Sequence, residues 1–320
     1  MKKIGILTSG GDAPGMNAVI RAVVRSALSM GMDIMGIERG YDGLLDDEMV
    51  LMDRASVGEI MQRGGTILKT ACSQRFTTEE GRAKALKILQ LHGIESLIVC
   101  GGDGSFKGAL ELSKLGMPVI GIPCTIDNDM GYTDYTIGFD TSVNTVLDAV
   151  GKIRDTASSH DRTTIIEVMG RDCGDIAAFA GVAGGAESVL VPEIKSDVDA
   201  VCRKIVAARD KGKRHSIIIR AEGADIGTDQ LADTIYKETG SEARKVVLAY
   251  VQRGGSPTMM DRLRAAMMGH EAVKLIAQGN SNMAVGVKDD KVFTMDLEKA
   301  INAKGKSNVD LIQLSDLLSN

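Results

Sequence analysis

A chain of 320 residues, 44% hydrophobic and 25% charged, can bury a sizeable core and is long enough for two domains, which excludes a disordered chain. The formal net charge of −5 excludes a general attraction to polynucleotides, although local basic clusters can still hold small anions. No apolar run approaches the length of a membrane span, so neither a nucleic-acid nor a membrane partner is expected.

Short β-branched runs alternate with helical patterns nearly throughout, and this predicts α/β architecture with mostly parallel sheets covered by helices on both faces. The first strand is expected at 3–8; only four strand-like residues precede Ser9-Gly10-Gly11-Asp12, too few for a signal-peptide core. A helix over 16–30 places Ala18, Ala22, Val23 and Ala27 on one face and Arg21 with Arg25 on another. Further strands are expected at 33–37, 96–100, 119–122, 163–168, 188–191, 216–221, 246–251 and 283–287. Met30, Met32 and Met35 read as core filler, and His92 and His270 as surface or packing residues of helices. The five cysteines, at 72, 100, 124, 173 and 202, are odd in number and form no C-x-x-C, which points to reduced thiols in a cytoplasm and to no zinc site. No Pro- or Ser-rich linker marks a domain boundary.

Two loops carry the strongest chemical signal. Gly101-Gly102-Asp103-Gly104-Ser105 follows the apolar run 97–100 and leads into a helical pattern over 105–115, so its glycines can bring backbone N–H groups up to phosphate at a helix N-terminus. Asp103 stands where a magnesium ion bridging those phosphates needs an oxygen ligand. The second loop, Thr125-Ile126-Asp127-Asn128-Asp129, follows another apolar run and presents two acids and a hydroxyl, equipment for deprotonating an alcohol and holding a metal; an acidic surface turn is the plainer alternative. The opening loop, 8–17, also joins a strand to a helix; it is either a second phosphate cradle or a tight connection, and it does not match G-x-x-x-x-G-K-[ST]. In open parallel sheets ligands bind outside the C-terminal strand ends, where all these loops fall.

Basic residues punctuate later loops: Arg162, Arg171, Arg244 and Arg253, whose planar forks suit a sugar phosphate. A second basic group comprises Arg21, Arg25, Arg54, Arg154, Lys211, Lys213 and His215, densest at Lys211-Gly212-Lys213-Arg214-His215; spacing alone also fits a solvated turn.

These residues resemble one family across nearly the whole chain, the bacterial ATP-dependent 6-phosphofructokinases. The resemblance rests on LTSGGDAPGMNA at 7–18, QRGGT at 62–66, GGDGS at 101–105, TIDND at 125–129, DYTIGFDT at 134–141, IRDTASSHDR at 153–162, EVMGRDCGD at 167–175 and VQRGGSP at 251–257. It implies the phosphofructokinase fold of two similar three-layer α/β/α domains. The nucleotide-binding domain is expected at 1–138 plus 251–301, and the sugar-phosphate domain at 139–250 plus 302–320. It also implies a cytoplasmic, glycolytic homotetramer that uses Mg2+ and ATP to phosphorylate fructose 6-phosphate at its 1-hydroxyl.

By the same resemblance, Gly11, Tyr41, Gly102, Gly104, Ser105 and Gly108 surround ATP while Asp103 engages magnesium. Asp127 is the base for the sugar hydroxyl, and Thr125 and Asp129 support the metal and the transferring phosphoryl, with Gly11 and Arg171 also at the reacting centre. Met169, Gly170, Arg171, Glu222, Tyr250 and Arg253 hold fructose 6-phosphate, with Arg162 and Arg244 reaching in from a neighbouring subunit. Arg21, Arg25, Arg54, Arg154, Glu187, Lys211, Lys213 and His215 match an effector site between subunits, where ADP activates and phosphoenolpyruvate inhibits. Gly104 favours ATP over pyrophosphate, because pyrophosphate-using relatives carry Asp there and Lys where this chain has Cys124.

The chain departs from the family at three positions. Cys72 replaces an arginine expected to bridge donor and acceptor phosphates, with Arg75 or Lys69 as partial substitutes; Cys124 stands for Gly, and Tyr250 for His. If all three line one cleft, they also fit a weakened paralog that binds nucleotide as a regulatory subunit or sensor.

Overall fold

The computed structural model describes every residue except Met1, Asp161, Arg214, Lys306, Ser307 and Asn320, so Arg214 of the basic run lies outside the described residues. The chain divides into two compact units: Met1–Ile126, Met130–Thr141 and Arg253–Gly305 form the first, and Asp127–Asp129, Ser142–Gln252 and Lys306–Asn320 the second. The expected division at 138 differs from this chiefly at Asp127–Asp129, which join the second unit. The physical reason lies in the acidic turn itself, which pairs with Arg171 and Asp175 of that unit.

In the first unit, β1 (Lys3–Thr8), β2 (Asp33–Ile37), β3 (Met49–Met52), β4 (Ser96–Gly101), β5 (Val119–Thr125), β11 (Met283–Lys288) and β12 (Lys291–Asp296) lie in the order β12-β11-β5-β4-β1-β2-β3, with the short β6 (Ile137–Gly138) beside β5. The central strands are parallel, and the two edges, β3 and β12, are antiparallel. Helices α1 (Met16–Ser29) and α9 (Met259–Ala277) pack together on one face. On the other, α2 (Gly40–Leu45), α3 (Glu79–Leu91), α4 (Asp103–Lys114) and α10 (Leu297–Ile301) share a core that includes Leu7, Leu97, Val99, Phe106 and Val119. The alternation along β4, where Leu97 and Val99 face this core, is the period of two that a parallel strand buried on both faces imposes.

The second unit has a four-stranded, wholly parallel sheet of β7 (Thr163–Val168), β8 (Ser188–Leu190), β9 (Ser216–Ala221) and β10 (Ala243–Val247), in the order β10-β7-β9-β8. Ile165 and Ile218 face α7 (Val198–Asp210) and α8 (Thr228–Thr239), while α6 (Asp175–Gly184) and α11 (Val309–Leu318) cover the other side. A long helix, α5 (Phe139–Ser159), leads from the first unit into the second.

Three expectations need correction. The strand placed at 246–251 is β10, which ends at Val247; Ala249 then adopts φ +44° and the chain turns through a short 3-10 segment to Arg253. The antiparallel edge strands β3 and β12 were not expected at all. Met30 is 37% exposed because it sits past the last turn of α1, whereas Met32 is buried.

Candidate active site

In the first unit, β1, β4 and β5 are neighbours, and the loops that leave their C-terminal ends are the three that the sequence singled out. The helix after β1 lies on one face of the sheet and the helix after β4 on the other, so the connections part between these two strands. That is the switch point at which an open α/β sheet forms a ligand crevice. Helix α4 begins at Asp103 with Gly102 as its N-cap; Ser105 N already donates to the Gly102 carbonyl at 3.0 Å, so by helix geometry the N–H groups of Asp103 and Gly104 are the ones without an intrahelical acceptor. Gly104 is exposed there, and a Cβ on it would meet no atom within 4 Å. Thr125 ends β5 beside Gly102: a Cβ on that glycine would lie 3.5 Å from the threonine's.

Tyr41 is buried, stacks on Phe76 with ring centroids 4.0 Å apart, and donates its hydroxyl to the Ser105 carbonyl at 2.7 Å. Ser105 Oγ donates to the Ser9 carbonyl at 3.0 Å, which locks the opening loop to the start of α4. Gly108 lies on the same helix, where a Cβ would strike the Tyr41 ring at 2.8 Å. Tyr41 and Gly108, both expected around the nucleotide, thus lie against each other, with Tyr41 also bonded to the first turn of α4.

Gly11 lies against Arg253. A Cβ there would lie 2.3 Å from Arg253 Nη1, because the guanidinium rests over Gly11 and donates to the Asp12 carbonyl at 3.3 Å. Arg253, expected only at the sugar phosphate, therefore places its charge directly on the opening loop.

Asp103 keeps a half-exposed carboxylate at the start of α4 and pairs with Lys107 at 2.7 Å. Among the described residues no three His, Cys, Asp or Glu side chains cluster as a metal cage. That donor set suits magnesium nonetheless, since this ion takes one or two carboxylates, waters and the phosphates it bridges.

The segment bearing Cys72 is laced to the opening loop: Thr70 Oγ1 donates to the Gly10 carbonyl at 2.7 Å and Thr8 Oγ1 to the Lys69 carbonyl at 2.6 Å. Cys72 is exposed. Both expected substitutes are paired with surface carboxylates. Arg75 is held by Asp46 at 2.8 Å and Asp42 at 2.9 Å, and Lys69 by Glu38 at 2.8 Å. Hydrogen bonds from Arg75 and then Arg39 hold the Asp46 carboxyl below the usual range, and a hydrogen bond from Ser73, followed by Arg75, lowers that of Asp42. Cys124 lines no cleft: it is 1% exposed, and burial followed by a hydrogen bond with Cys100 pushes its thiol well up.

In the second unit, the acidic turn is built on Asn128, whose φ of +56° is left-handed. Asp127 is 2% exposed, with Arg171 Nε 3.4 Å from its Oδ2. Arg171 itself has φ +53° and follows Gly170, whose φ of +139° no ordinary side chain tolerates. Glu222 fixes this strained turn, its Oε1 accepting from Gly170 N at 3.2 Å and Arg171 N at 2.9 Å, and Met169 N donates to Gln252 Oε1 at 3.1 Å. The carboxylate expected on the sugar thus also shapes the backbone that carries Arg171.

Arg162 precedes β7 and Arg244 lies at the start of the adjacent β10, which pairs Ala243 with Thr163. Met169 to Arg171 follow the other end of β7, about 20 Å away at roughly 3.3 Å per residue. Tyr250 is 79% exposed, on the turn after β10.

The expected effector residues fall in both units. Arg54 is exposed, and Arg25 has a buried Nε without a hydrogen-bond partner among the described residues, a group that a bound anion would satisfy. In the second unit Arg154 donates to the carbonyls of Gly184 at 2.7 Å and Gly185 at 2.8 Å, and buried Glu187 pairs with Lys213 and the Ile217 N–H. Lys211 is exposed and His215 half-buried. His92 and His270 pair with Asp47 and Ser26 away from these sites.

Sequence reasoning missed Gln252, Asp175 and Asn308. Asp175 is 5% exposed; burial raises its carboxyl, while hydrogen bonds from Asn308 and Asn128 pull it back down. The neighbouring Cys173 thiol is pushed up to about 12, by burial first and then by Asp175.

A family model described as phosphofructokinase matches residues 3–276. The chain is 56% identical over 319 residues to the ATP-dependent 6-phosphofructokinase of Clostridium tetani, covering 100% of both chains. It is 53% identical, over the same full coverage, to the ATP-dependent 6-phosphofructokinase of Alkaliphilus metalliredigens. Among solved structures, phosphofructokinase from Saccharomyces cerevisiae superposes with a TM-score of 0.91 at 34% identity, over 100% of this chain and 48% of that one. A pyrophosphate-dependent phosphofructokinase from Marinobacter aquaeolei, 22% identical with a TM-score of 0.87 over 97% of this chain and 86% of that one, shares the fold.

Proposed function

The chain belongs to the phosphofructokinase family, and on that premise we propose that it transfers the γ-phosphoryl group of ATP to the 1-hydroxyl of fructose 6-phosphate, giving fructose 1,6-bisphosphate and ADP in glycolysis. The observation that carries the reading is the whole-length similarity to ATP-dependent relatives. The open space over Gly104 supports ATP as donor, because a nucleotide's α-phosphate needs room there.

Asp127 removes the proton from the 1-hydroxyl as that oxygen attacks the γ-phosphorus and the bond to the β-phosphate oxygen breaks. Arg171 brings a positive charge beside this base. Backbone N–H groups at Gly11 and at the start of α4 take the phosphate oxygens, where fixed dipoles act without reorganising. Arg253, resting over Gly11, adds a guanidinium to that cradle, which supports catalysis in a chain that has Cys72. Asp103 would hold magnesium, which when bound offsets the phosphate charge; Asp129 joins it on the strength of the resemblance.

Met169, Gly170 and Glu222 shape the sugar-phosphate side together with Tyr250. The wide separation of Arg162 and Arg244 from Arg171 along β7 favours their serving a neighbouring copy's site, and so a homotetramer. The basic group with Glu187 is proposed as the site for ADP and phosphoenolpyruvate. Among the described residues no helix is long and apolar enough to cross a membrane; a cytoplasmic placement is proposed on the strength of the resemblance. The burial of Cys124 takes away one of three departures that fitted a disabled paralog. The test is Asp127→Ser: turnover falls by about three orders of magnitude or more with fructose 6-phosphate binding nearly intact, and near-normal turnover refutes the base assignment.

A further inference from the structure

We infer that Asp175 is a positioning residue that holds the acidic turn and ties it to the C-terminal segment. The inference deepens the reading of Asp127 as the base and rests on it only for its kinetic consequence. Asp175 opens α6 and is 5% exposed. Its Oδ2 accepts from Asn128 Nδ2 at 2.8 Å, and its Oδ1 accepts from Asn308 Nδ2 at 2.5 Å. One buried carboxylate therefore grips two segments far apart in sequence.

Each grip has a reason. Asn128 sits between Asp127 and Asp129 with φ +56°, a conformation that disfavours a residue with a Cβ and persists where surrounding contacts over-determine it. The bond from its side chain to Asp175 is such a contact. Asn308 immediately precedes α11, whose far end is fixed independently: Ser315 Oγ donates to the Ala186 carbonyl at 3.4 Å, and Asp316 pairs with Lys204 at 2.6 Å. With α11 anchored, Asn308 is presented to Asp175 at a set place. A buried carboxylate needs its hydrogen bonds, and charge-assisted ones are the strong kind, so loss of either asparagine loosens the other segment's anchor. The C-terminal segment thereby constrains the two carboxylates of the turn, although it supplies no reacting group.

The experiment uses the full chain carrying Asp175→Ala, Asn308→Ala, Asn128→Ala and the Asn128→Ala/Asp175→Ala pair. The first readout is amide hydrogen exchange in peptides spanning 124–131 of the unliganded protein. Exchange there is expected to rise about tenfold or more in Asp175→Ala, and by a smaller factor in Asn308→Ala, which serves alone if the first variant does not fold. Unchanged exchange in this peptide overturns the inference, whether or not the protein turns over sugar phosphate. The second readout is kinetic. With an active parent, kcat falls about tenfold to hundredfold, as small misplacement of reacting groups can cost, while KM for both substrates stays within about threefold. The double variant is expected to be no slower than the slower single one. Losses that multiply, or losses confined to KM, overturn the positioning role. A parent without turnover refutes the kinase reading instead, and the exchange result still decides the clamp.

Discussion

Replacing Gly104 with alanine separates stability from donor binding, because the two effects are expected to have opposite signs. Gly104 is the second residue of α4, exposed, with open space where a Cβ would go. Alanine there relieves the conformational entropy cost of a helical glycine, a gain of about 0.5–1 kcal/mol. In a chain of this size that corresponds to a melting temperature higher by about 1–4 °C. The same methyl group occupies the surface that a phosphate must approach to reach the helix N-terminus. Losing one charge-assisted hydrogen bond costs about 1.5–3 kcal/mol, so KM for ATP should rise about tenfold to hundredfold. KM for fructose 6-phosphate should not change. Thermal unfolding without ligand and initial rates over an ATP series measure both. A stabilised variant with unchanged KM for ATP would refute the placement of the nucleotide's phosphates at this helix.

Gly11→Ala should leave unfolding nearly unchanged but push the Arg253 guanidinium off the opening loop; turnover is expected to fall about tenfold to hundredfold, the worth of one charged hydrogen bond, and rates within twofold of the parent would show that Arg253 is not used there. Asp261→Asn should destabilise by about 2–3 kcal/mol in urea titrations, since the wholly buried carboxylate accepts from Gly138 N at 3.0 Å and Thr141 N at 2.8 Å and an amide would turn an N–H toward one of these donors. Burial raises the Asp261 carboxyl, so the folded state binds its proton more tightly; the parent's advantage over the variant is largest below the ordinary carboxyl value and shrinks as pH rises through the raised one. An advantage that grows with pH would contradict this. Lys213→Ala removes the ion pair to Glu187 and should weaken the ADP or phosphoenolpyruvate response without abolishing turnover; superimposable effector curves would remove the basic group from that role.

The buried parallel strands were legible because their signal is local. At 3–8, 33–37, 163–168 and 216–221 the apolar runs coincide with the observed strands. The antiparallel edges were not, since Val50 and Leu51 of β3 are both exposed, 45% and 62%, and show no inside–outside alternation. The strand set too late at 246–251 shows how a single left-handed residue, Ala249, ends an otherwise favourable run. The glycine-rich and acidic loops announced themselves by residue type at strand ends. What holds them did not: Asp175 meets residues 47 and 133 positions away, and Arg253 meets a carbonyl 241 positions away. Such pairings follow from tertiary packing and leave no periodic trace.

The central claim is tested most directly by following fructose 1,6-bisphosphate formation by the purified chain with fructose 6-phosphate and magnesium, comparing ATP with pyrophosphate and the parent with Cys72→Arg. Steady product formation by the parent with ATP and none with pyrophosphate is the expected result. Product only after Cys72→Arg, or only with pyrophosphate, would contradict it.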